Sequence, residues 1–361
     1  MKVAIFSVSE NGKLLAKRLK YILDDDPTII RTDVFHKNVK KNINSVFNDY
    51  DVIIGIMATG ILIRTICKNI TNKYNDPAVL SIDERGNSVI SLLSGHMGGA
   101  NQFARKIANL LSVNAVVTTA TDVYNKIGID VLANRFYWNI MNKNNILAFN
   151  KALLENKNLH LKSNSITAKY IEEFFSNYTL EIDDKKYDSS IDNINEYVKD
   201  TYNYILNIDE TFDNKIIANF KNIELEMRPR KLVIGIGSRK NIDEKSVLLA
   251  IDRAVKNLGI SLKRIDCLAT ASIKKNELGI LKACETINKP LVIVEKDKIE
   301  DFYCSSFSKD CLKSSFVKEK FGIEGVSEAC AMISSGDNSK LIHRKIALNG
   351  VTVAIAVSKQ I

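Results

Sequence analysis

The stretch "DVIIGIMATGILIR" (residues 51–64) decides the fold class of this chain. Residues 51–58 are almost entirely apolar, which is typical of a strand buried on both faces at the centre of a parallel sheet. Thr59 and Gly60 follow this strand, and a helical pattern begins there that carries Arg64 about one turn later. A buried strand that runs into a helix through a short polar turn predicts an α/β domain, which binds ligands at the carboxyl ends of its strands. A capped helix with an exposed arginine explains residues 57–64 equally well.

Strand and helix patterns alternate through the rest of residues 1–130. "GKLLAKRLKYIL" (12–23) has apolar residues at helical spacing, and it follows an apolar, β-rich segment at 2–8. Alternation of this kind is typical of a sheet that has helices on both faces. We therefore predict an N-terminal doubly wound, mostly parallel sheet, with further strands at 28–36, 77–83, 87–94 and 115–120.

The chain beyond residue 130 divides at a change in composition. Residues 131–229 are rich in Asn, Asp, Lys and Tyr and poor in glycine, so we predict a small mixed segment that connects two domains or covers a site. Residues 230–361 predict a second α/β domain. A strongly amphipathic helix is expected at 243–259, and a hairpin at 340–359 because an Asn-Gly pair separates two alternating apolar runs.

The composition excludes several classes of protein. The hydrophobic content of 45% and charged content of 26% are ordinary for a globular protein. No apolar run approaches the roughly 20 residues that span a bilayer, and no cleavage signal follows the first strand. The six cysteines form no CxxC pair and suit a reducing compartment, so we expect a cytoplasmic protein without a membrane segment.

The net charge of +9 is concentrated at both ends of the chain, around an acidic middle. This distribution favours an anionic partner. Because no dense Lys/Arg tract with interleaved aromatic residues is present, we expect a small polycarboxylate and no nucleic acid.

The segment "SGHMGGAN" (94–101) places His96 among three glycines just before a predicted amphipathic helix. A lone histidine is usually structural. A glycine turn at a helix N-terminus, however, also favours anions. The next strand ends in "TTATD" (118–122), and the two polar segments are expected to converge with "MATG" (57–60) on one crevice. The candidate site residues in the two polar segments are Gly95, His96, Gly98, Gly99, Asn101, Thr118, Thr119, Thr121 and Asp122.

Asp83 and Glu84 stand ahead of a Gly-Asn pair in "SIDERGN" (81–87). An ordinary charged hairpin turn explains this pattern. An adjacent pair of carboxylates near a histidine would equally supply a general base.

Gly235 and Gly237 follow an apolar strand in "RPRKLVIGIGSRK" (228–240). A dinucleotide fingerprint would need a third glycine where Lys240 stands, so nucleotide binding is disfavoured against a tight turn from strand to helix. Amides at such a turn can bind a carboxylate, which Arg239 and Lys240 would strengthen.

These segments together resemble the CbiG family, the cobalt-precorrin-5A hydrolases of anaerobic cobalamin synthesis. The resemblance covers nearly the whole chain in the three-part layout of that family, and the block at 83–122 is its most specific part. The matching segments are "MATGILIR" (57–64), "DERGNSVISLLSGHMGGAN" (83–101), "VTTATD" (117–122) with Asp130 following, "VIGIGSRK" (233–240), "LATASIKKNELGIL" (268–281) and "GVSEACAMISSG" (325–336).

The resemblance implies a hydrolase that acts on a cobalt-bearing tetrapyrrole. Such enzymes open the δ-lactone between the ring A acetate and the methylated carbon C-20, which then leaves with its methyl group as acetaldehyde and gives cobalt-precorrin-5B. The cobalt belongs to the substrate, so no cofactor of the protein is expected. The family often has a cysteine at the position of Ser238, and a serine there argues against an obligatory thiol nucleophile.

The resemblance also suggests roles for the candidate residues. His96 would transfer protons, since histidine titrates near neutral pH, and Asp83 or Glu84 would orient it or act as the base. The amides of Gly98 and Gly99 would face the developing oxyanion. The remaining candidates would bind substrate, with cations that clamp its carboxylates; they are Thr59, Gly60, Arg64, Gly235, Gly237, Arg239, Lys240, Glu277 and Glu328.

Other classes of protein stay open at this point. A tetrapyrrole-binding protein of the same pathway without chemistry of its own would keep the glycine turns and the arginines but would not need His96. The sequence is also compatible with contacts to neighbouring pathway enzymes and with a homo-oligomer.

Overall fold

The computed structural model describes residues 1–175, 181–182, 204–212 and 214–360. The chain forms two compact units, Met1–Asn125 and Lys126–Ile361. The division into residues 1–130, 131–229 and 230–361 stays a prediction. No helix in the described part of the chain is long and apolar enough to cross a membrane.

The first unit is an α/β domain built on a six-stranded sheet in the order β2-β1-β3-β4-β5-β6. The strands β1 to β4 are parallel to one another. The bounds are β1 (Lys2–Ser7), α1 (Glu10–Asp24), β2 (Arg31–His36), α2 (Val39–Val46), β3 (Val52–Ile56), α3 (Thr59–Ile66), β4 (Ala78–Ile82), β5 (Ser88–Leu93), α4 (Ala100–Leu111), β6 (Asn114–Val116) and α5 (Ala120–Val123).

Helices cover both faces of this sheet, as the sequence predicts. On one face, Leu19 of α1 and Phe103 of α4 pack against Ile54 of the central strand and its neighbours. On the other face, Ile43 of α2 and Leu62 of α3 pack against the same sheet. The strand β3 is buried along its whole length, which confirms the position predicted for the apolar stretch at 51–58.

Strand direction reverses at β5, which is antiparallel to β4, and β6 follows the direction of β5. The connection at 83–87 is a short turn in which Gly86 has φ +74°. Antiparallel strands can be joined by such a turn, whereas a parallel pair needs a crossover of about a dozen residues or more. The carboxyl end of β5 therefore lies beside the amino end of β4, where Val79 pairs with Leu93.

The second unit begins with a mixed sheet, in agreement with the mixed segment predicted for the middle of the chain. The strand order is β7-β12-β11-β8-β10-β9. The bounds are α6 (Ile129–Arg135), β7 (Trp138–Ile140), α7 (Ile146–Leu154), β8 (Leu159–Ser163), α8 (Ser165–Phe175), β9 (Glu181–Ile182), β10 (Tyr204–Ile208), β11 (Ile216–Phe220) and β12 (Ile223–Pro229).

The rest of the second unit is a five-stranded sheet in the order β15-β14-β13-β17-β16. Helices α9 and α10 pack on one face and α11 and α13 on the other. The bounds are β13 (Leu232–Ser238), α9 (Glu244–Leu258), β14 (Cys267–Ala271), α10 (Leu278–Thr286), β15 (Leu291–Val294), α11 (Lys296–Cys304), α12 (Ser315–Phe321), α13 (Ser327–Ser335), β16 (Lys340–Leu348) and β17 (Val351–Val357).

The helix and the hairpin predicted for this region are confirmed. Asp243 caps α9 by accepting a hydrogen bond from the amide of Ser246, and Gly259 ends the helix at φ +61°. The hairpin of β16 and β17 turns at Asn349 and Gly350, both of which have positive φ.

The interpretation of Gly235 and Gly237 as a turn is wrong, because both residues lie inside β13. A Cβ added at Gly235 would stand 1.8 Å from the carbonyl oxygen of Ser327 in α13, and one at Gly237 would stand 3.3 Å from Cβ of Val326. Glycine in a strand marks a close approach of another part of the chain. Gly235 therefore allows α13 to pack directly on the sheet.

This contact predicts the effect of substitution at Gly235. Gly235→Ala should destabilise the protein by about 3 kcal/mol or more, because the new methyl group meets backbone that cannot move aside. Gly60→Ala is the control, since an added Cβ there meets only the flexible end of Arg64, at 3.2 Å. Urea denaturation measures both, and a Gly235→Ala protein as stable as the wild type would contradict this packing.

Candidate functional site

Asp122 is the centre of a hydrogen-bonded cluster at the edge of the first sheet where β5 ends. Its Oδ2 lies 3.2 Å from Nε2 of His96 and accepts a hydrogen bond from Nδ2 of Asn101 at 2.8 Å. Its Oδ1 lies 2.7 Å from Nη1 of Arg105. The His96 and Asp122 side chains are 13% and 14% exposed, so the pair is largely shielded from solvent and still reachable.

The threonines of "TTATD" complete this cluster. Thr121 Oγ1 lies 3.0 Å from His96 Nε2, and Thr119 Oγ1 accepts a hydrogen bond from Asn101 at 3.0 Å. Ser91 of β5 donates to Oδ1 of Asn101 at 2.7 Å and fixes the orientation of that amide. Thr118 is exposed.

The glycines of "SGHMGGAN" bring His96 to this position. A Cβ at Gly98 would stand 2.5 Å from Cβ of Ser94, and a Cβ at Gly95 would stand 2.7 Å from Oδ1 of Asn101. The amide of Gly99 donates to the carbonyl of His96 at 3.0 Å. That amide is therefore already used, which corrects the expectation that it faces an oxyanion.

The electrostatics of the cluster favour an ionised Asp122. Burial alone would raise the pKa of this carboxyl group, but hydrogen bonds from His96 and Arg105 outweigh burial and lower the pKa below its ordinary value of 3.8. A carboxylate bonded to a ring nitrogen fixes the orientation of an imidazole and stabilises the cation formed when the ring takes up a proton. The arrangement is suited to proton transfer.

The segments at 94–101 and 118–122 meet as expected, but the other predicted polar segments of the first unit lie at the opposite edge of the sheet, so the expected convergence of 57–60 with them is wrong. Thr59 contacts Ser81 near the carboxyl end of β4, with 3.0 Å between the hydroxyl oxygens. Gly60 is exposed, and Arg64 donates to its carbonyl at 3.1 Å. The two ends of a five-residue strand are about 13 Å apart. Side chains at the carboxyl ends of β3 and β4 therefore cannot contact His96, which lies at the amino end of β4.

Asp83 and Glu84 do not pair with His96. Asp83 accepts hydrogen bonds from the amides of Arg85 at 3.0 Å and Ser88 at 2.8 Å, which is the structural role of a turn carboxylate. Glu84 accepts from the hydroxyl of Ser9 at 2.6 Å. Asp122 is the carboxylate that holds His96.

A second histidine, missed by the sequence reasoning, lies at this opposite edge. His36 Nδ1 is 3.1 Å from Ser7 Oγ, and its Nε2 is 3.0 Å from Oε1 of Glu10. Ser7 ends β1 and His36 ends β2, and both strands were predicted. Parallel pairing of these strand ends is the signal that could have brought the two residues together.

The second unit contains a cavity of about 1390 Å³ at the carboxyl ends of β13 and β14. The side chains that line this cavity carry far more positive than negative charge. Among the described lining residues six are basic and one, Glu277, is acidic. The lining includes apolar side chains such as Leu278, Phe316 and Phe321. The basic side chains are Arg239, Lys240, Lys274, Lys275, Lys320 and Lys345.

The carboxylate of Glu277 is already bonded to other residues in the wall of this cavity. Its Oε1 accepts from the amide of Ile242 at 3.0 Å, and its Oε2 lies 3.4 Å from Nζ of Lys274. Within the described residues no carboxylate forms an ion pair with the other five cations, and Arg239, Lys240, Lys275 and Lys320 are exposed. The cavity thus offers positive charge to an anionic ligand.

Glu328 does not line the cavity, unlike the sequence expectation. It is 1% exposed and accepts hydrogen bonds from the amides of Leu312 at 2.6 Å and Lys345 at 2.8 Å. Burial raises the pKa of this carboxyl group. Glu328 therefore ties a loop and β16 to the start of α13.

The fold and these two sites define an α/β protein with a shielded His–Asp pair in one unit and a basic cavity in the other. The family model described as "Cobalamin synthesis G N-terminal" matches residues 41–122, and "Cobalamin synthesis G C-terminus" matches residues 232–356. The chain belongs to this family, CbiG, whose enzymes act in cobalamin biosynthesis.

Relatives are similar to this chain over its full length. A protein of Methanocaldococcus jannaschii named "Probable cobalt-precorrin-5A hydrolase" is 31% identical over 99% of each chain. The "Cobalt-precorrin-5A hydrolase" of Priestia megaterium is 28% identical over 98% of this chain and 94% of its own. The crystal structure of a cobalamin biosynthesis protein G homolog from Sulfolobus solfataricus has a TM-score of 0.58 at 26% identity, over 99% of this chain and 97% of that one.

The lowered pKa of Asp122 predicts a pH-dependent stability. A carboxyl group with a lowered folded pKa stabilises the protein above the unfolded value and loses this contribution as pH falls through the folded value. Asp122→Asn should therefore cost about 1–2 kcal/mol at neutral pH, and the loss should vanish as pH falls below the ordinary value of 3.8.

Urea denaturation from neutral to acidic pH measures this difference. Asp49→Asn changes an exposed carboxylate of the same unit and should leave the stability unaltered. A cost for Asp122→Asn that stays constant with pH would show that its carboxylate is not the ionised centre of the cluster.

Proposed function

We propose that this protein is a cobalt-precorrin-5A hydrolase. It opens the δ-lactone of its substrate, releases C-20 with its methyl group as acetaldehyde, and gives cobalt-precorrin-5B. Support comes from the names of two relatives that match along the whole chain. The observation that carries the proposal is the charge imbalance of the cavity in the second unit.

The cavity suits a large, flat and polyanionic molecule. Pockets for drug-sized ligands are typically about 300–1000 Å³, and this one is about 1390 Å³. Acetate and propionate arms of a tetrapyrrole would pair with cations such as Arg239 and Lys275. The apolar side chains of Phe316 and Phe321 would contact the macrocycle.

Proton transfer is assigned to His96 in the first unit. His96 takes a proton from water, and the resulting hydroxide adds to the lactone carbonyl. The guanidinium of Arg105, which is half-exposed beside Asp122, and the amide of Gly98 would stabilise the developing oxyanion. Asp122 holds the imidazole and stabilises it while it carries the proton.

Two steps follow the addition of water, namely opening of the lactone and loss of C-20. Collapse of the tetrahedral intermediate breaks the acyl–oxygen bond, and the oxygen on C-20 takes the proton from His96. That hydroxyl then loses its proton and forms the aldehyde C=O as the bond from C-20 to the macrocycle breaks. The electron pair of this bond stays on the macrocycle, which takes up a proton.

The cobalt ion is part of the substrate in this proposal, and the protein supplies no cofactor. Neighbouring enzymes of the pathway would deliver the substrate and receive the product.

A second candidate function is tetrapyrrole binding without catalysis. It is favoured by the composition of the cavity lining, which contains Lys and Arg but no histidine among its described residues. Anaerobic incubation with cobalt-precorrin-5A separates the two functions. The hydrolase releases acetaldehyde and a corrin product of correspondingly lower mass, whereas a binding protein retains intact substrate and releases no more acetaldehyde than the buffer.

Replacement of His96 tests the assigned proton transfer. His96→Ala should lower the turnover rate by about 100-fold or more, which is the usual contribution of a positioned acid–base group. His160→Ala is the matched control because His160 is exposed in β8, where its contact is Asn207. Trapped acetaldehyde gives the rate, and near-normal turnover of His96→Ala would remove His96 from the mechanism.

A further inference from the structure

Two buried hydroxyl groups near the cavity of the second unit have no hydrogen-bond partner in the described structure. They are Oγ of Ser238, which lines the cavity, and Oγ of Ser327, whose residue is 1% exposed. Buried polar groups are nearly always hydrogen-bonded, and each exception calls for an explanation such as a role in binding a ligand, an ion or a water molecule.

The N-terminus of α13 lies at the same place. Ser327 is the first residue of this nine-residue helix, and no side chain caps it because the N-cap residue is Val326. Val326 packs over Gly237 and Ser327 over Gly235, so the helix begins near the carboxyl end of β13, where Ser238 stands.

The open end of α13 faces the cavity, since Gly325 and Val326 are part of the lining. Ser327 is not itself part of the lining, but side chains of a helix tilt towards its N-terminus, so the Ser327 side chain is directed back towards this open end. Free amides at a helix N-terminus and the helix dipole favour an anion. Arg239 and Lys345 add positive charge to the same lining.

We propose that the α13 N-terminus, Ser238 and Ser327 form a subsite that binds one carboxylate of the substrate. The identity of the ligand as a tetrapyrrole carboxylate rests on the proposed function. The amides and the two hydroxyls donate hydrogen bonds to the carboxylate oxygens, while the lysines and arginines of the cavity hold the other arms. One arm fixed in this way sets the rotation of the macrocycle in the cavity.

The test is a titration of the full-length protein with uroporphyrin, an octacarboxylate porphyrin, followed by fluorescence. Ser238→Ala and Ser327→Ala should each weaken binding about tenfold, since each removes a hydrogen bond to a charged group. Ser334→Ala is the matched control, because its Oγ is also buried without a partner but lies at the other end of α13. It should change the Kd by less than about twofold.

Thermal unfolding without ligand separates a binding role from a structural one. Loss of an unpartnered buried hydroxyl should leave the Tm unchanged or raise it, so weaker binding with undiminished stability supports the subsite. The octamethyl ester of uroporphyrin should bind the wild type and both serine variants equally. Inorganic phosphate should compete with uroporphyrin no better than acetate does, which distinguishes a carboxylate subsite from a phosphate site.

Three results would overturn the proposal: wild-type affinity in both serine variants, equal weakening in Ser334→Ala, or no binding of uroporphyrin by the wild type. Acetaldehyde release from cobalt-precorrin-5A is measured independently of this titration. A protein that releases acetaldehyde but shows one of these results lacks the subsite and is still the proposed hydrolase. A protein that releases none fails the proposed function whatever the titration shows.

Discussion

The reversal of strand direction between β4 and β5 is the constraint on which the first site depends. The turn at 83–87 is too short to cross over the sheet, so β5 must return antiparallel to β4. This places the glycine loop after β5 and the polar segment after β6 side by side, and Asp122 bonds to His96 and Asn101 across them. Because of the same reversal, Thr59, Asp83 and Glu84 lie at the opposite ends of the strands, where β3 and β4 end.

The two units contribute different chemistry. In the first, an ionised carboxylate holds a shielded imidazole, which suits the movement of a proton. In the second, five cations that form no ion pair in the described structure line a cavity of about 1390 Å³, which suits the neutralisation of many negative charges. Buried hydroxyls without partners beside the start of α13 add hydrogen-bond donors that the folded chain itself does not use.

Periodic and local patterns in the sequence predicted the elements well, and long-range packing explains the errors. The buried strand at 51–58, the amphipathic helix at 243–259 and the Asn349-Gly350 hairpin each follow from neighbouring residues, and each is confirmed. The hairpin turn at 83–87, which reverses the direction of β5, also follows from neighbouring residues. What does not follow from them is that the loop after β5 lies at the opposite end of the strands from Thr59, because this depends on the pairing of strands that are distant in the sequence. Gly235 looked like a turn residue because its partner, Ser327, lies far along the chain.

The most direct test of the chemistry is a single turnover of cobalt-precorrin-5A in ¹⁸O-labelled water, with mass analysis of the corrin product. Water attack on the lactone carbonyl predicts one ¹⁸O atom in the ring A acetate of the product, while the original ester oxygen leaves with acetaldehyde. An unlabelled corrin product would mean that the acyl–oxygen bond is never broken by water, and it would contradict the account of this protein as a lactone hydrolase.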